Sequence, residues 1–111
     1  MKKNSSNKEK VHQTINYSYN SIQKNRIEKK ADFKHQINIR HMTVYEVKIR
    51  LEKYLDDAFL LNVSPVYVIH GKGKGILRNY VQQLLDKLTY VSSYRCGEPY
   101  EGGEGVTVVY F

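Results

Sequence analysis

The 111 residues predict a two-layer α/β sandwich of the α+β kind, in the order β-α-β-α-β-β, with two main helices on one face of a mixed four-stranded sheet. Three observations carry that reading. Apolar side chains alternate over residues 36–40, then recur at three- and four-residue steps over residues 44–61 and again over residues 76–88. Short apolar runs at Val66–Ile69, residues 91–96 and Val106–Tyr110 fall between and after those helical stretches. Glycine and proline stand where the periods break.

In the first strand, Ile37 and Ile39 share one face. Thr43-Val-Tyr-Glu46 has the spacing of a capping box, which satisfies orphan N–H groups at a helix start. The helix it opens runs to about Leu61, with Val44, Val47, Leu51, Tyr54, Leu55, Ala58 and Leu61 on its apolar side. Asn62 suits its stop, and Pro65 bars continuation. Strand Val66–Ile69 leads into a glycine turn and a second helix carrying Leu77, Val81, Leu84, Leu85 and Leu88. Residues 97–105 form a glycine- and proline-dictated loop before the last strand. Right-handed crossovers put both helices on one side when strands are added progressively in one direction.

The folded domain is expected at residues 36–111 and a flexible basic tail at residues 1–35. The tail holds nine Lys/Arg against three Asp/Glu, a net of +6, whereas residues 36–111 hold nine against eight. Basic arms neutralise phosphates, so nucleic acid is the expected partner. Within the tail, Val11, Ile15, Tyr17 and Tyr19 alternate as in a short strand or an extended arm, and the two tyrosines are candidates for stacking on bases. A thin apolar stripe, Ile22, Ile27, Ala31 and Phe33, suggests a frayed helix. No apolar run reaches the roughly 18 residues of a membrane span, and no apolar stretch follows Met1-Lys-Lys as a signal peptide requires. One cysteine, Cys96, excludes an internal disulfide and a cysteine-based zinc site, and its strand pattern suggests a core position. A cytoplasmic protein without a membrane segment is expected.

The most informative segment is His70-Gly-Lys-Gly-Lys-Gly-Ile-Leu-Arg78. A strand delivers a histidine into a glycine-rich turn that opens a helix. Free N–H groups at a helix start attract anions, and glycines let a phosphate approach the main chain. Lys72, Lys74 and Arg78 add positive charge at the same point. No lysine-serine/threonine pair follows the last glycine, so a nucleoside triphosphate site is disfavoured.

Three blocks in order resemble the Smr (small MutS-related) domain, most like the C-terminal domain of MutS2 proteins. Ile37-Asn-Ile-Arg-His-Met-Thr43 stands where that type has Leu-Asp-Leu-Arg-Gly-Met-Thr; the His70–Arg78 run matches its His-Gly-x-Gly-x-Gly-x-Leu-Arg signature; and Gly97-Glu-Pro-Tyr-Glu-Gly-Gly-Glu-Gly-Val-Thr107 matches its terminal glycine loop and strand. The resemblance spans residues 36–111 and implies a fold like the C-terminal domain of a bacterial translation initiation factor. It implies binding to DNA or RNA and, in several members, endonuclease activity that nicks DNA or cleaves RNA. MutS2 proteins are also implicated in suppressing recombination and in acting on stalled ribosomes, which makes the ribosome a further expected partner.

Phosphodiester cleavage needs an activated nucleophile, stabilisation of negative charge and a proton for the leaving oxygen. His70 is the candidate acid or base, and Arg40 matches the family arginine and offers a forked phosphate contact. Gly71, Lys72, Gly73, Lys74, Gly75 and Arg78 would hold the phosphate, with Gly102 and Gly103 as the signature glycines of the terminal loop. The alternative role for His70 is that of a satisfied histidine that only braces the turn.

Two departures bear on activity. The family aspartate is Asn38 here, and the glycine after the arginine is His41. Asparagine is no general base and a poorer ligand than carboxylate for a divalent cation. In other Smr domains a histidine lies one position earlier in this short motif, so His41 is a candidate substitute. Such cleavage is either metal-free or assisted by a divalent cation, magnesium or manganese, and no metal ligand is assigned. Glu98, Glu101 and Glu104 cluster near the glycine loop without the pattern of an oxygen-rich site. Two functions therefore stand: a nucleic-acid-binding Smr domain with endonuclease activity, or a non-catalytic nucleic-acid or ribosome-binding module disarmed at Asn38.

Overall fold

The structure is a computed structural model that describes residues 30–111. The alternation over residues 11–19 and nearly all of the stripe over residues 20–33 lie outside the described residues. Strands β1 (Gln36–Asn38), β2 (Val66–Ile69), β3 (Ser93–Cys96) and β4 (Val106–Tyr110) and helices α1 (Val44–Leu60) and α2 (Ile76–Lys87) follow in the order β1-α1-β2-α2-β3-β4. The mixed four-stranded sheet is ordered β1-β2-β4-β3, with β1 and β2 parallel and β4 antiparallel to both its neighbours. The last strand in the chain is therefore an inner one. Its residues Val106 to Val109 are all buried, as suits a strand covered on both faces. None of the described helices is long and apolar enough to cross a membrane.

Strand alternation divides the apolar residues between two faces. Ile39, Val66, Val68 and Val109 pack with Val47, Leu51, Leu55 and Ala58 of α1 and with Val81, Leu84 and Leu85 of α2. Leu51 and Leu55 are wholly buried there, and emptying either position to alanine costs about 2–5 kcal/mol. The compact unit runs over Phe33–Phe111. Phe33 stacks on Tyr54 with ring centroids 5.0 Å apart, and the Tyr54 hydroxyl donates to the Lys34 carbonyl at 2.6 Å, so contacts with α1 begin ahead of β1.

The opposite face carries Tyr67, Val108, Arg95 and Tyr110, paired across the strands. The loop between β3 and β4 folds against it in two 3-10 turns, Pro99–Glu101 and Gly103–Gly105. Arg95 holds that loop with two bonds to Glu101, Nη1–Oε1 at 2.7 Å and Nη2–Oε2 at 3.0 Å. At Gly102, φ is +108° and an added Cβ would meet Val106 Cγ2 at 2.5 Å, so only glycine fits the turn.

Local details depart from expectation. Glu46 N donates to Thr43 Oγ1 at 3.1 Å, but the Glu46 carboxylate meets the threonine hydroxyl at 3.3 Å instead of the Thr43 backbone, leaving the capping box half made. The reciprocal box forms between Glu98 and Glu101 in the loop. α1 ends with Asn62 in the left-handed region at φ +59°, which asparagine tolerates. Cys96, expected in the core, is exposed at the end of edge strand β3.

Candidate functional site

Parallel strands β1 and β2 both run into helices at the same end of the sheet, and there the chain builds a cleft of about 490 Å³. Arg40, His41 and the run from His70 to Arg78 line it. Among the described residues, no carboxylate stands in its wall.

The turn is anchored from β4's side. His70 N and Gly71 N both donate to the Gly105 carbonyl, at 3.0 and 2.9 Å. The His70 ring is only 6% exposed, with Nδ1 2.9 Å from the Gly71 carbonyl and Nε2 2.9 Å from Thr107 Oγ1. A carbonyl only accepts, so these partners assign the proton to Nδ1 and leave Nε2 to accept from the Thr107 hydroxyl. Burial lowers the affinity of the ring for a second proton; the Gly71 carbonyl opposes this and Arg78 adds to it. The result is a neutral imidazole with both nitrogens engaged inside the protein.

Beyond it, Gly71 and Gly75 both sit at φ +81°, where a side chain would be strained. The absent Cβ at Gly71 leaves room for the stem of Arg40, whose Cγ and Cδ lie 3.3 and 3.4 Å from that point. Arg40 is oriented from behind by Asn38: its N and Nε donate to Asn38 Oδ1 at 3.0 and 3.1 Å. Its two terminal nitrogens have no protein partner among the described residues, and Arg40 lines the cleft. His41 is exposed at φ +67°, a conformation that explains why a glycine suits this place in the family pattern.

α2 opens at Gly75 with no side-chain cap, and the N–H groups of Ile76, Leu77 and Arg78 meet no acceptor among the described residues. The helix start is thus a partial positive charge directed at the cleft. Lys72 and Lys74 are exposed beside it, and Arg78 Nη2 lies 3.5 Å from where a Gly75 Cβ would stand.

The structure thus brings together His70, Arg40, His41, the glycines and lysines of the turn, and Arg78. Asn38 stands behind Arg40 and does not line the cleft. Gly102 and Gly103 lie outside the cleft, Gly102 against Val106 and Gly103 accepting from Cys96 Sγ at 3.5 Å. Gly105 and Thr107, which hold the turn, were not singled out by sequence reasoning, although both fall in the terminal motif block. Glu98 and Glu101 act as loop caps, and among the described residues no group of three His, Cys, Asp or Glu side chains is placed to hold a metal ion.

Two helices over a mixed sheet, with a cationic glycine turn at one helix start, define a small α/β domain built around that turn. A model of the Smr domain matches residues 37–111, and the chain belongs to the Smr domain family. Endonuclease MutS2 of Lachnospira eligens is 44% identical over 86 residues, 78% of this chain and 11% of that protein. Endonuclease MutS2 of Thermotoga maritima is 41% identical over 102 residues, 92% of this chain and 12% of that protein. The chain therefore spans about a tenth of the length of the curated relatives it matches. The crystal structure of the Smr domain of Thermus thermophilus MutS2 matches with a TM-score of 0.66 at 35% identity, covering 69% of this chain and 96% of that one. That of YdaL, a stand-alone small MutS-related protein from Escherichia coli, matches with a TM-score of 0.67 at 25% identity, covering 77% of this chain and 72% of that one.

Proposed function

We propose that this chain binds nucleic acid by seating a backbone phosphate in the cleft at the start of α2. The observation that carries the reading is the convergence of Arg40, Lys72, Lys74 and Arg78 with an uncapped helix start around a cavity whose wall has no carboxylate among the described residues. Gly71 and Gly75 shape the turn, Gly73 keeps its middle bare, and Asn38 aims the Arg40 guanidinium. The net of +6 on residues 1–35 adds unspecific attraction to the same polyanion. Titration of labelled DNA and RNA with the full chain tests it. The expected result is salt-sensitive binding weakened by Arg40→Ala and Lys72→Ala; no binding by the natural chain at low salt would overturn it.

Cleavage is the second reading, favoured by the relatives named as endonucleases and by one exposed imidazole, His41, in the cleft wall. An imidazole there can exchange a proton with a bound ligand, whereas His70 has both nitrogens engaged and serves to hold the turn. Supercoiled plasmid and structured RNA, incubated with magnesium, manganese or chelator, separate the readings. Cutting abolished by His41→Ala would establish a nuclease; retained binding without cutting would make this a binding module.

A further inference from the structure

On α1 the fold leaves an apolar stripe uncovered. Tyr45 is 73% exposed and Ile49, one turn on, is 54% exposed. Their four-residue spacing stacks them on one side of the helix, and exposed Lys48 stands beside them. The residues that tie α1 to the sheet, Val47, Leu51, Leu55 and Ala58, lie on the buried side, so the stripe contributes nothing to that packing. Tyr45 belongs to the first turn of α1, fixed by the Thr43 cap, and only three residues separate it from His41 in the cleft wall. The cleft wall itself carries an exposed apolar side chain: Ile76, in the first turn of α2, is 61% exposed. Since β1 and β2 are parallel, both helix starts flank the same end of the sheet.

Cations and free N–H groups alone would serve a phosphate, but they give no reason for exposed apolar side chains in the cleft wall and close to it in the chain. A ligand with a charged backbone and flat apolar faces meets both needs. In a paired duplex those faces are hidden in the stack; in an unpaired strand they are available, and stacking on an aromatic ring removes both surfaces from water. We infer that Tyr45 is a stacking platform for an unpaired base of the strand whose phosphate occupies the cleft, so single-stranded or looped segments are preferred over continuous duplex. This rests on the nucleic-acid reading above and adds a base-recognition site to it.

The chain contains no tryptophan, so Tyr45→Trp installs a single indole at the proposed platform. With short oligothymidylate as probe, the indole emission of that variant falls on binding, and a blunt-ended, fully paired duplex of equal charge leaves it unchanged. Tyr45→Ala weakens single-strand binding by roughly 5- to 150-fold, the range for loss of one stacked base, while duplex binding holds and Tyr45→Phe restores the single-strand affinity. Unchanged single-strand affinity in Tyr45→Ala, where Arg40→Ala still weakens binding, overturns the platform and spares the phosphate site. An indole already shielded from a soluble quencher in the free chain overturns it too, because another segment or a second copy then covers the stripe. Failure of the natural chain to bind either probe removes the nucleic-acid reading itself.

Discussion

His70 Nε2 lies 2.9 Å from the hydroxyl of Thr107, a bond that ties the end of β2 to β4 beneath the glycine turn. Thr107→Val keeps the shape but leaves Nε2 buried without a donor, at a cost of about 1–3 kcal/mol. The same site sets a pH dependence. Below its ordinary value of 6.5 the unfolded chain protonates His70, while the buried folded ring takes the proton only at lower pH. Its contribution is intact above 6.5 and is lost as pH falls through the window beneath. Thermal melts across that range should show Tm falling with pH, less steeply in His70→Gln.

Gly73 differs from its neighbours: its φ is not positive, and an added Cβ would meet nothing within 4 Å. Gly73→Ala therefore leaves the melting temperature unchanged, yet it weakens nucleic-acid binding if the phosphate approaches the middle of the turn. Parallel melting and binding titrations separate the two effects. In contrast, Gly102→Ala destabilises the fold through its clash with Val106.

Asn38 and Arg40 act as one unit, because both contacts from Arg40 end on Asn38 Oδ1. Asn38→Ala leaves the guanidinium unaimed and weakens binding in the same direction as Arg40→Ala. The double variant is expected to lose little more than Arg40→Ala alone, a non-additivity that a double-mutant cycle measures.

The Arg95–Glu101 pair predicts a second acid effect. Bonds from Arg95, followed by the Glu98 N–H, hold the Glu101 carboxyl at about 2, below its ordinary 4.5. The clamp's stabilisation is fully present above pH 4.5 and is lost as pH falls toward about 2. Glu101→Gln should flatten the acid limb of the melting curve and loosen the loop that ends in Gly105.

Much of this was legible in the chain, because helix periodicity and glycine breaks are local signals. Val106–Tyr110 reads as a strand, but its place between β2 and β3 depends on pairing between distant residues that no local pattern encodes. Cys96 reads as core since its neighbours alternate, yet β3 lies at an edge and its end is exposed. The glycine turn announces itself as a cationic helix start. What holds it does not: Gly105 and Thr107 are ordinary residues until the antiparallel register brings them under His70. The engagement of both His70 nitrogens is likewise a matter of geometry. The Asn38–Arg40 contact, two residues apart on an exposed strand end, was visible only as a departure from the family pattern.

The most direct measurement is the salt dependence of nucleic-acid affinity for the natural chain beside Arg40→Ala, Lys72→Ala and Lys74→Ala, with exposed Lys87→Ala, at the far end of α2, as control. A phosphate held in the cleft predicts that each cleft variant weakens binding and lowers the slope of log K against log salt by about 1, while the control leaves it unchanged. Slopes identical in all variants would contradict the account and place the contact elsewhere on the chain.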